Sequence, residues 1–156
     1  MGLLENLQTE PIARADLRAP VTVATGGTVR EAIRAMRERA LGCVVVIDGE
    51  HRPMGVFTEG MLRTLMAENP AAVNDPLAEH MSRNVCMVRT SDPMERVLQA
   101  MIRDNTRFVS VLDDDGRLVG LTGQKGLMEY IAEHFPAQVM VQRIGTPHNF
   151  RKREGA

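Results

Sequence analysis

Apolar positions recur along this chain in two series that can be laid over each other. When the sequence is shifted by 65 positions, residues 11–65 align with residues 76–130 without an insertion, and thirteen of the 55 aligned pairs are identical. The order of apolar and polar positions agrees over nearly the whole overlap. A pattern kept at a fixed period without a gap indicates a duplicated structural unit.

Each copy predicts the same elements in the same order. A short extended segment, residues 20–23 or 85–88, precedes a helix with an amphipathic stripe. A β-rich run follows, residues 43–48 ("CVVVID") or 108–113 ("FVSVLD"), which is typical of a strand buried on both faces. An Asp-Gly turn, a second strand and a second helix complete a β-α-β-β-α unit. The first-helix stripes are Val29, Ile33, Met36, Ala40 in one copy and Met94, Val97, Leu98, Met101, Ile102 in the other.

The helix starts carry capping residues. Thr28 and Glu31 have the spacing of a capping box, in which each side chain bonds the other residue's backbone N–H. Asp92 followed by Pro93 predicts an N-cap and a first-turn proline for the corresponding helix of the second copy. Residues 75–81 ("DPLAEHM") predict a short capped helix where the second copy begins.

Two units of about fifty-five residues are each small for a core of their own. We therefore predict a mixed α+β fold in which two β-α-β-β-α repeats pack sheet against sheet with pseudo-twofold symmetry. The predicted division is an N-terminal segment at 1–10, repeat 1 at 11–66, a linker at 67–75, repeat 2 at 76–135 and a C-terminal tail at 136–156. Pro136 is predicted to end the last helix. The tail lacks periodicity and is predicted to be mobile.

Composition narrows the class of protein. The chain is 44% hydrophobic and 25% charged with a net charge of −1, which gives no electrostatic reason to expect a nucleic-acid or membrane partner. The longest apolar run, residues 41–47, is too short to span a bilayer, and no signal-peptide pattern is present. Cys43 and Cys86 lie in apolar runs without a Cys-x-x-Cys motif. We therefore expect reduced cysteines in a cytoplasmic protein.

Two stretches carry a family resemblance. Residues 43–62 ("CVVVIDGEHRPMGVFTEGML") and 108–128 ("FVSVLDDDGRLVGLTGQKGLM") resemble the tandem cystathionine-β-synthase (CBS) domain, or Bateman module. The resemblance extends over about residues 11–131. It implies a regulatory sensor that binds AMP, ADP, ATP or S-adenosylmethionine in clefts between the repeats. It also implies no required cofactor, a homodimer and a separate protein that the module regulates.

The same resemblance implies where a ligand would lie. Adenine would contact the strands, and sugar and phosphate would lie at the start of each repeat's second helix, where the family carries a Thr/Ser-x-x-Asp signature. The implied ligand-binding residues are Thr22, Val23, Val44, Thr58, Glu59 and Met61 from repeat 1, and Val88, Arg107, Val109, Thr122, Gly123, Gln124, Lys125 and Gly126 from repeat 2.

This chain departs from the signature at its acid. Met61 and Gly126 stand where the family has Asp, so a charge-assisted hydrogen bond of roughly 1.5–3 kcal/mol is lost. That loss predicts about ten- to a hundredfold weaker nucleoside binding. Glu59 cannot replace Met61, because residues two apart on a helix face different ways. Lys125 and the glycines around it predict that the second copy is the better anion site.

Two functions of different classes remain open at this point. One is the ligand-responsive sensor, and the other is a non-catalytic dimerisation or interaction scaffold whose clefts no longer bind nucleotides. An enzyme is disfavoured, because no motif pairs a nucleophile with a base. No metal site is expected either, since the four histidines, His51, His80, His134 and His148, lie far apart in the sequence.

Overall fold

The structure, a computed structural model, describes residues 2–136. The tail beyond Pro136, including His148, lies outside the described residues. Within them the helices are α1 (Leu3–Thr9), α2 (Val29–Arg39), α3 (Glu59–Glu68), α4 (Glu95–Asp104) and α5 (Gln124–His134). The strands are β1 (Thr22–Ala24), β2 (Cys43–Ile47), β3 (Pro53–Thr58), β4 (Met87–Arg89), β5 (Phe108–Leu112) and β6 (Leu118–Gly123). No helix in this part of the chain is both long and apolar enough to cross a membrane.

The strands form two three-stranded sheets of identical topology, β1-β2-β3 and β4-β5-β6. In each sheet the first pair is parallel and the second pair is antiparallel. Thr22 lies opposite Val45 in the first sheet and Met87 opposite Ser110 in the second, which is the same register 65 residues later. The predicted duplication and the mixed α+β fold are therefore confirmed.

The segment before the first strand of each repeat crosses to the other repeat. The N–H of Ile12 donates to the carbonyl of Asp92 at 2.8 Å, and the N–H of Leu77 donates to the carbonyl of Gly27 at 2.8 Å. These are equivalent contacts in the two copies. Because each repeat is completed by the chain that leads into the other, the two copies form one intertwined module.

A second pair of contacts joins these crossing segments to the edges of the sheets. Arg18 and Leu121 exchange backbone hydrogen bonds at 3.0 and 2.9 Å, and Val56 and Ser82 do the same at 2.9 Å each. The chain before β4 therefore extends the edge of β3, and the chain before β1 extends the edge of β6. This pairing brings residues of repeat 2 against the start of α3.

Each repeat has its own core, and a third cluster joins the two sheets. The core of repeat 1 contains Val44, which is 0% exposed, and the core of repeat 2 contains its equivalent Val109, also 0% exposed. Between the sheets lie Val45, Leu112, Leu118 and Leu121. The predicted sheet-to-sheet packing is thus observed, through a small apolar contact.

Helix α1 was not anticipated from the sequence. It packs on the core of repeat 2 through Leu7, which is buried beside Tyr130 and Phe135. The Tyr130 hydroxyl donates to Glu10 at 3.4 Å, at the end of the same segment. The N-terminal segment therefore covers repeat 2, as the turn Pro70–Asn74 with its buried Ala72 packs against α2 and α3 of repeat 1.

Of the three capping predictions, one is confirmed and two are wrong. The Thr28–Glu31 capping box is present. The N-cap prediction for Asp92 is wrong, because its carboxylate accepts from the N–H of Arg89 at 2.8 Å and α4 begins only at Glu95.

The predicted capped helix at 75–81 is a 3-10 turn, Leu77–Glu79, without a side-chain cap. The carboxylate of Asp75 instead contacts His80 Nε2 at 2.9 Å.

Three positions assigned to the apolar helix stripes face solvent. Ala40 is the C-cap of α2 in the left-handed conformation, with φ of 49°. Leu98 and Ile102 on α4 are 39% and 73% exposed, and Ala100 takes a core position instead. Residues 98 and 102 are one turn apart, so α4 presents an apolar ridge outward.

Candidate functional site

A cleft, called here the first cleft, lies between the repeats where β3 runs into α3. Its cavity volume is about 190 Å³. Repeat 1 contributes four side chains and repeat 2 contributes the rest, so the cleft exists only because the copies are intertwined. The lining residues are Cys43, Val56, Thr58, Met61, Ser82, Asn84, Cys86, Asp104, Thr106, Phe108, Ser110 and Leu121.

Two predicted site residues meet at the start of α3. Thr58 is the N-cap, and its Oγ1 accepts from the N–H of Met61 at 3.3 Å. The hydroxyl proton of Thr58 remains able to donate into the cleft. Met61 is half-buried and presents a thioether to the cavity, in the place where the family signature has a carboxylate.

Repeat 2 supplies the carboxylate of the first cleft. Asp104 ends α4, and its side chain is only 13% exposed. Arg103 holds it in two contacts, Nε to Oδ1 at 2.9 Å and Nη2 to Oδ2 at 3.0 Å. This pairing holds the pKa of Asp104 below its usual value, so the group is ionised at neutral pH.

Both cysteines open onto the first cleft as buried, free thiols. Burial raises the pKa of Cys43 to about 12. Burial, followed by the neighbouring Asp104 carboxylate, raises the pKa of Cys86 to about 12. Since the thiolate is the reactive form, neither group is an activated nucleophile at neutral pH.

A second cleft opens where α5 begins, with a cavity volume of about 540 Å³. Its lining residues are Arg18, Leu41, Gly42, Glu59, Arg107, Phe108, Gln124, Lys125 and Met128. Three cations and one carboxylate line this cavity. Lys125 lies 3.8 Å from Glu129 in an exposed pair, which holds it only weakly.

Glu59 and Met61 face different cavities, as their spacing on α3 predicts. The N–H of Glu59 donates to the carbonyl of Gly42 at 3.0 Å, and its side chain lies over that glycine. Glu59 therefore belongs to the second cleft. It leaves the position of the missing acid at Met61 unfilled.

The start of α5 differs from the start of α3 in its backbone. Gly123 has φ of 153°, and a Cβ there would collide with the carbonyl of Arg107. A Cβ on Gly126 would lie 2.5 Å from Oγ1 of the buried Thr122. The first N–H of α5, on Gln124, donates to the same Arg107 carbonyl at 3.3 Å. Glycines at 123 and 126 thus fit this turn.

A smaller opening of about 210 Å³ lies beside both clefts and includes Thr58, Glu59 and Arg107. Arg107 is exposed and lines this opening and the second cleft. Its guanidinium is therefore placed to reach a ligand that enters from that side.

The predicted strand residues do not join the other candidates. Val44 and Val109 are fully enclosed in the two repeat cores, so their side chains offer no surface to a ligand. Thr22 and Val23 line an outer groove against α2, and Val88 lines the equivalent groove against α4.

One group of metal-ligand type is found in the described part of the chain. Asp75, Glu79 and His80 bring ligand atoms within 4.8 Å of one another, on the connector between the repeats. His80 is hydrogen-bonded to Asp75 in this group.

Sequence reasoning missed the contribution of repeat 2 to the first cleft. Ser82, Asn84 and Asp104 lie far along the chain from Thr58, and no local motif marks them. The signal that finds them is the exchange of hydrogen bonds between Val56 and Ser82.

Comparison with known proteins gives the family. Residues 14–68 and 77–133 match the profile of the CBS domain. A curated relative, an uncharacterized 17.7 kDa protein of Acidianus ambivalens, is 27% identical over 100 residues, which is 64% of this chain and 60% of that protein. The chain spans from 20% to 63% of the length of eight curated relatives that it matches.

Solved structures share the fold. A CBS domain pair in complex with 5′-methylthioadenosine and S-adenosyl-L-methionine matches with a TM-score of 0.69 at 20% identity, covering 79% of this chain and 96% of that chain. A CBS domain protein from Pyrobaculum aerophilum complexed with AMP matches with a TM-score of 0.68 at 21% identity, covering 79% and 98%. With two matched repeats and this fold, the chain belongs to the CBS domain family.

Proposed function

We propose that the protein is a ligand-responsive regulatory module that binds an adenosyl-type ligand between its repeats and modulates a partner protein. The observation that carries this proposal is the pair of clefts at the starts of α3 and α5, each completed by the facing repeat. Structural neighbours of this chain hold AMP, or 5′-methylthioadenosine and S-adenosylmethionine, which supports the ligand class.

The contacts follow from the lining of the clefts. In the first cleft we assign ligand contacts to Thr58, Met61 and Asp104. In the second we assign them to Arg107 and Lys125, with Gln124 at the helix start. A helix N-terminus with unpaired N–H groups favours an anion, and α5 has no side-chain cap, although its first N–H, on Gln124, donates to the Arg107 carbonyl.

A ligand in the first cleft would change how the repeats pack. The cavity of about 190 Å³ is smaller than the roughly 300–1,000 Å³ of typical small-molecule sites. The cluster between the sheets is small, with four buried side chains, among them Val45 and Leu121, and four partly buried ones. Binding that favours a wider arrangement therefore shifts the inter-repeat packing, and a partner bound to the module would respond to that shift.

We also propose that the module is a homodimer. The exposed apolar ridge of Leu98 and Ile102 on α4 is a surface that association would cover. The free, buried cysteines suit a reducing compartment, so we place the protein in the cytoplasm. The raised pKa values of both thiols favour a role without catalysis.

A second candidate is a dimerisation or interaction scaffold that has lost nucleotide binding. Met61 in the first copy and Gly126 in the second favour it, because neither supplies the carboxylate of the family signature. In that case the clefts would serve only to join the repeats.

Thermal unfolding with a panel of AMP, ADP, ATP, S-adenosylmethionine and NAD separates the two candidates. A ligand at a hundredfold its Kd stabilises the folded state by about 2.7 kcal/mol. For a protein of this size that raises Tm by roughly 5–10 °C. A shift with at least one compound supports the sensor. Unchanged Tm with every compound at millimolar concentration favours the scaffold.

A further inference from the structure

The two clefts differ in the charged side chains that line them. Among the residues described, the first cleft has one carboxylate, from Asp104, and no lysine, arginine or histidine in its lining. The lining of the second cleft has Arg18, Arg107 and Lys125 against the carboxylate of Glu59, and Glu129 outside the lining forms exposed pairs with Arg18 at 3.9 Å and Lys125 at 3.8 Å. Two cavities of one small module therefore present different electrostatic surfaces to a ligand.

Asp104 is held so that its carboxylate serves the cavity. Arg103 contacts it from the outer side, where the Arg103 side chain is 67% exposed, while Asp104 is 13% exposed. Arg103 lines a groove on the other side of α4 and is absent from the lining of the first cleft. Each carboxylate oxygen has a further lone pair beyond the one that Arg103 uses, and the Cys86 thiol takes one of these. The remaining lone pair is an acceptor for a ligand in the cavity.

The groups around Asp104 extend the same chemistry. Ser82, Asn84 and Thr106 line the cavity with uncharged polar side chains. A carboxylate among such groups accepts hydrogen bonds from hydroxyl and amino donors, and it repels a phosphate. The lining therefore favours a neutral or cationic ligand.

The equivalent position in repeat 1 has the opposite charge. Position 104 aligns with Arg39 under the shift of 65 residues, and position 107 aligns with Gly42. The repeats have thus exchanged an acid for a base at one position and gained a base at another. Arg39 lines neither of the two clefts, and Gly42 and Arg107 both line the second, so at the position of Asp104 only repeat 2 places a charged side chain in a cleft while the strand registers stay the same.

We propose that Asp104 makes the first cleft selective for a nucleoside-type ligand without phosphate, neutral or cationic, and that phosphate-bearing ligands enter the second cleft. This inference rests on the proposed function and adds to it a division of ligand class between the two cavities. Asp104 acts here as a specificity-determining residue that touches the ligand.

The test is isothermal titration of adenosine and of AMP into the wild type, Asp104→Asn and Lys125→Ala. Loss of a charge-assisted hydrogen bond predicts that Asp104→Asn binds adenosine about ten- to a hundredfold more weakly. AMP affinity of that variant should stay level or rise, because a repelling charge is gone. Lys125→Ala is the matched control, and it should weaken AMP binding while adenosine binding stays within about twofold.

The ratio of adenosine affinity to AMP affinity distinguishes a change of ligand selectivity from a loss of folding. A variant that is merely misfolded loses adenosine and AMP together, and its Tm without ligand falls. Equal loss of both ligands in a folded Asp104→Asn, or no loss of adenosine, overturns the inference. If the wild type responds to a nucleotide of the panel but not to adenosine, the inference fails alone. If it binds nothing, the proposed function fails with it.

Discussion

The turn between β6 and α5 allows a sharp test of how this fold is built. Replacing Gly123 by Ala should destabilise the protein by about 2–4 kcal/mol. A φ of 153° is essentially restricted to glycine, and forcing another residue into such a region costs about 1–3 kcal/mol. The new Cβ would also collide with the Arg107 carbonyl, which accepts the N–H of Gln124. Loss of that hydrogen bond adds about 0.5–1.5 kcal/mol.

Alanine substitutions at two further glycines separate the cost of backbone strain from the cost of a collision with the new Cβ. Gly116 has φ of 80° in the β5–β6 turn, and a Cβ at this position would lie 4.0 Å from its nearest neighbour, on the Arg52 side chain. Gly116→Ala should therefore cost about 1–2 kcal/mol from backbone strain alone. Gly60 lies in α3, where a Cβ would have its nearest neighbours at 3.8 Å. Gly60→Ala should be neutral or stabilising by up to about 1 kcal/mol.

Urea unfolding followed by circular dichroism measures all three variants against the wild type, and the midpoint at unchanged m-value gives the change in free energy. The expected order of stability is Gly60→Ala, then Gly116→Ala, then Gly123→Ala. If Gly123→Ala loses no more than Gly116→Ala, then the collision with Arg107 does not limit the turn and the reasoning is refuted.

Three other changes test the assembly, the buried thiols and a helix cap. Ile102→Glu, at a position 73% exposed, should leave folding intact and turn a dimer into a monomer by light scattering; a dimer that survives contradicts the use of α4 as the interface. Because burial raises the pKa of Cys43 from 9.0 to about 12, its contribution to stability is complete below pH 9 and is lost at roughly 1.4 kcal/mol per pH unit up to pH 12. Cys43→Ala should lose stability less steeply in that range than the wild type, and parallel curves from urea unfolding would refute the assignment. Thr28→Ala removes the capping box and should lower the free energy of unfolding by about 1 kcal/mol. The control Thr64→Ala, at an exposed position of α3, should leave it nearly unchanged, and equal effects of the two changes would contradict a stabilising role for the cap.

Apart from the duplication and the packing of the two sheets, which follow from the repeat, the features that the sequence predicted correctly are local ones. The capping box of Thr28 and Glu31 involves neighbours three residues apart, and the Asp48 and Asp113 turns are closed by the same side-chain bonds to the following backbone. The β-rich runs were long enough to identify β2 and β5. The cap and the turns depend on contacts within a few residues, and the two strands are marked by their own β-rich composition.

The wrong predictions concern positions whose surroundings are set by packing against elements elsewhere in the chain. Asp92 was assigned as a cap, but its carboxylate turns back to Arg89, while its carbonyl accepts from Ile12 of the crossing segment. The predicted apolar stripe of α4 is wider than the buried face, because Ala100 is buried in the core and Ile102 is exposed. Periodicity locates an apolar face, but it does not say how much of that face another element covers.

Prediction of the candidate site from the sequence has the same limit. Thr58 and Lys125 were placed by a local signature at a helix start, and both line cavities in the structure. Asp104 could not be placed in this way, because it lies at the end of α4 in repeat 2 and meets Thr58 only across the contact between the repeats. A residue that functions across a pseudo-twofold axis leaves no mark in its own neighbourhood of the sequence.

The pattern of identity between the copies bears on what the clefts do. The thirteen identical pairs include core positions such as Val44 and Val109, and turn positions such as Asp48 and Asp113. Every residue lining the first cleft, by contrast, differs from its counterpart 65 positions away. Packing constrains both copies alike, whereas a ligand constrains only the cavity it fills. Copies that keep identical residues at several core positions and differ throughout this lining support the proposal that the first cleft has a ligand of its own.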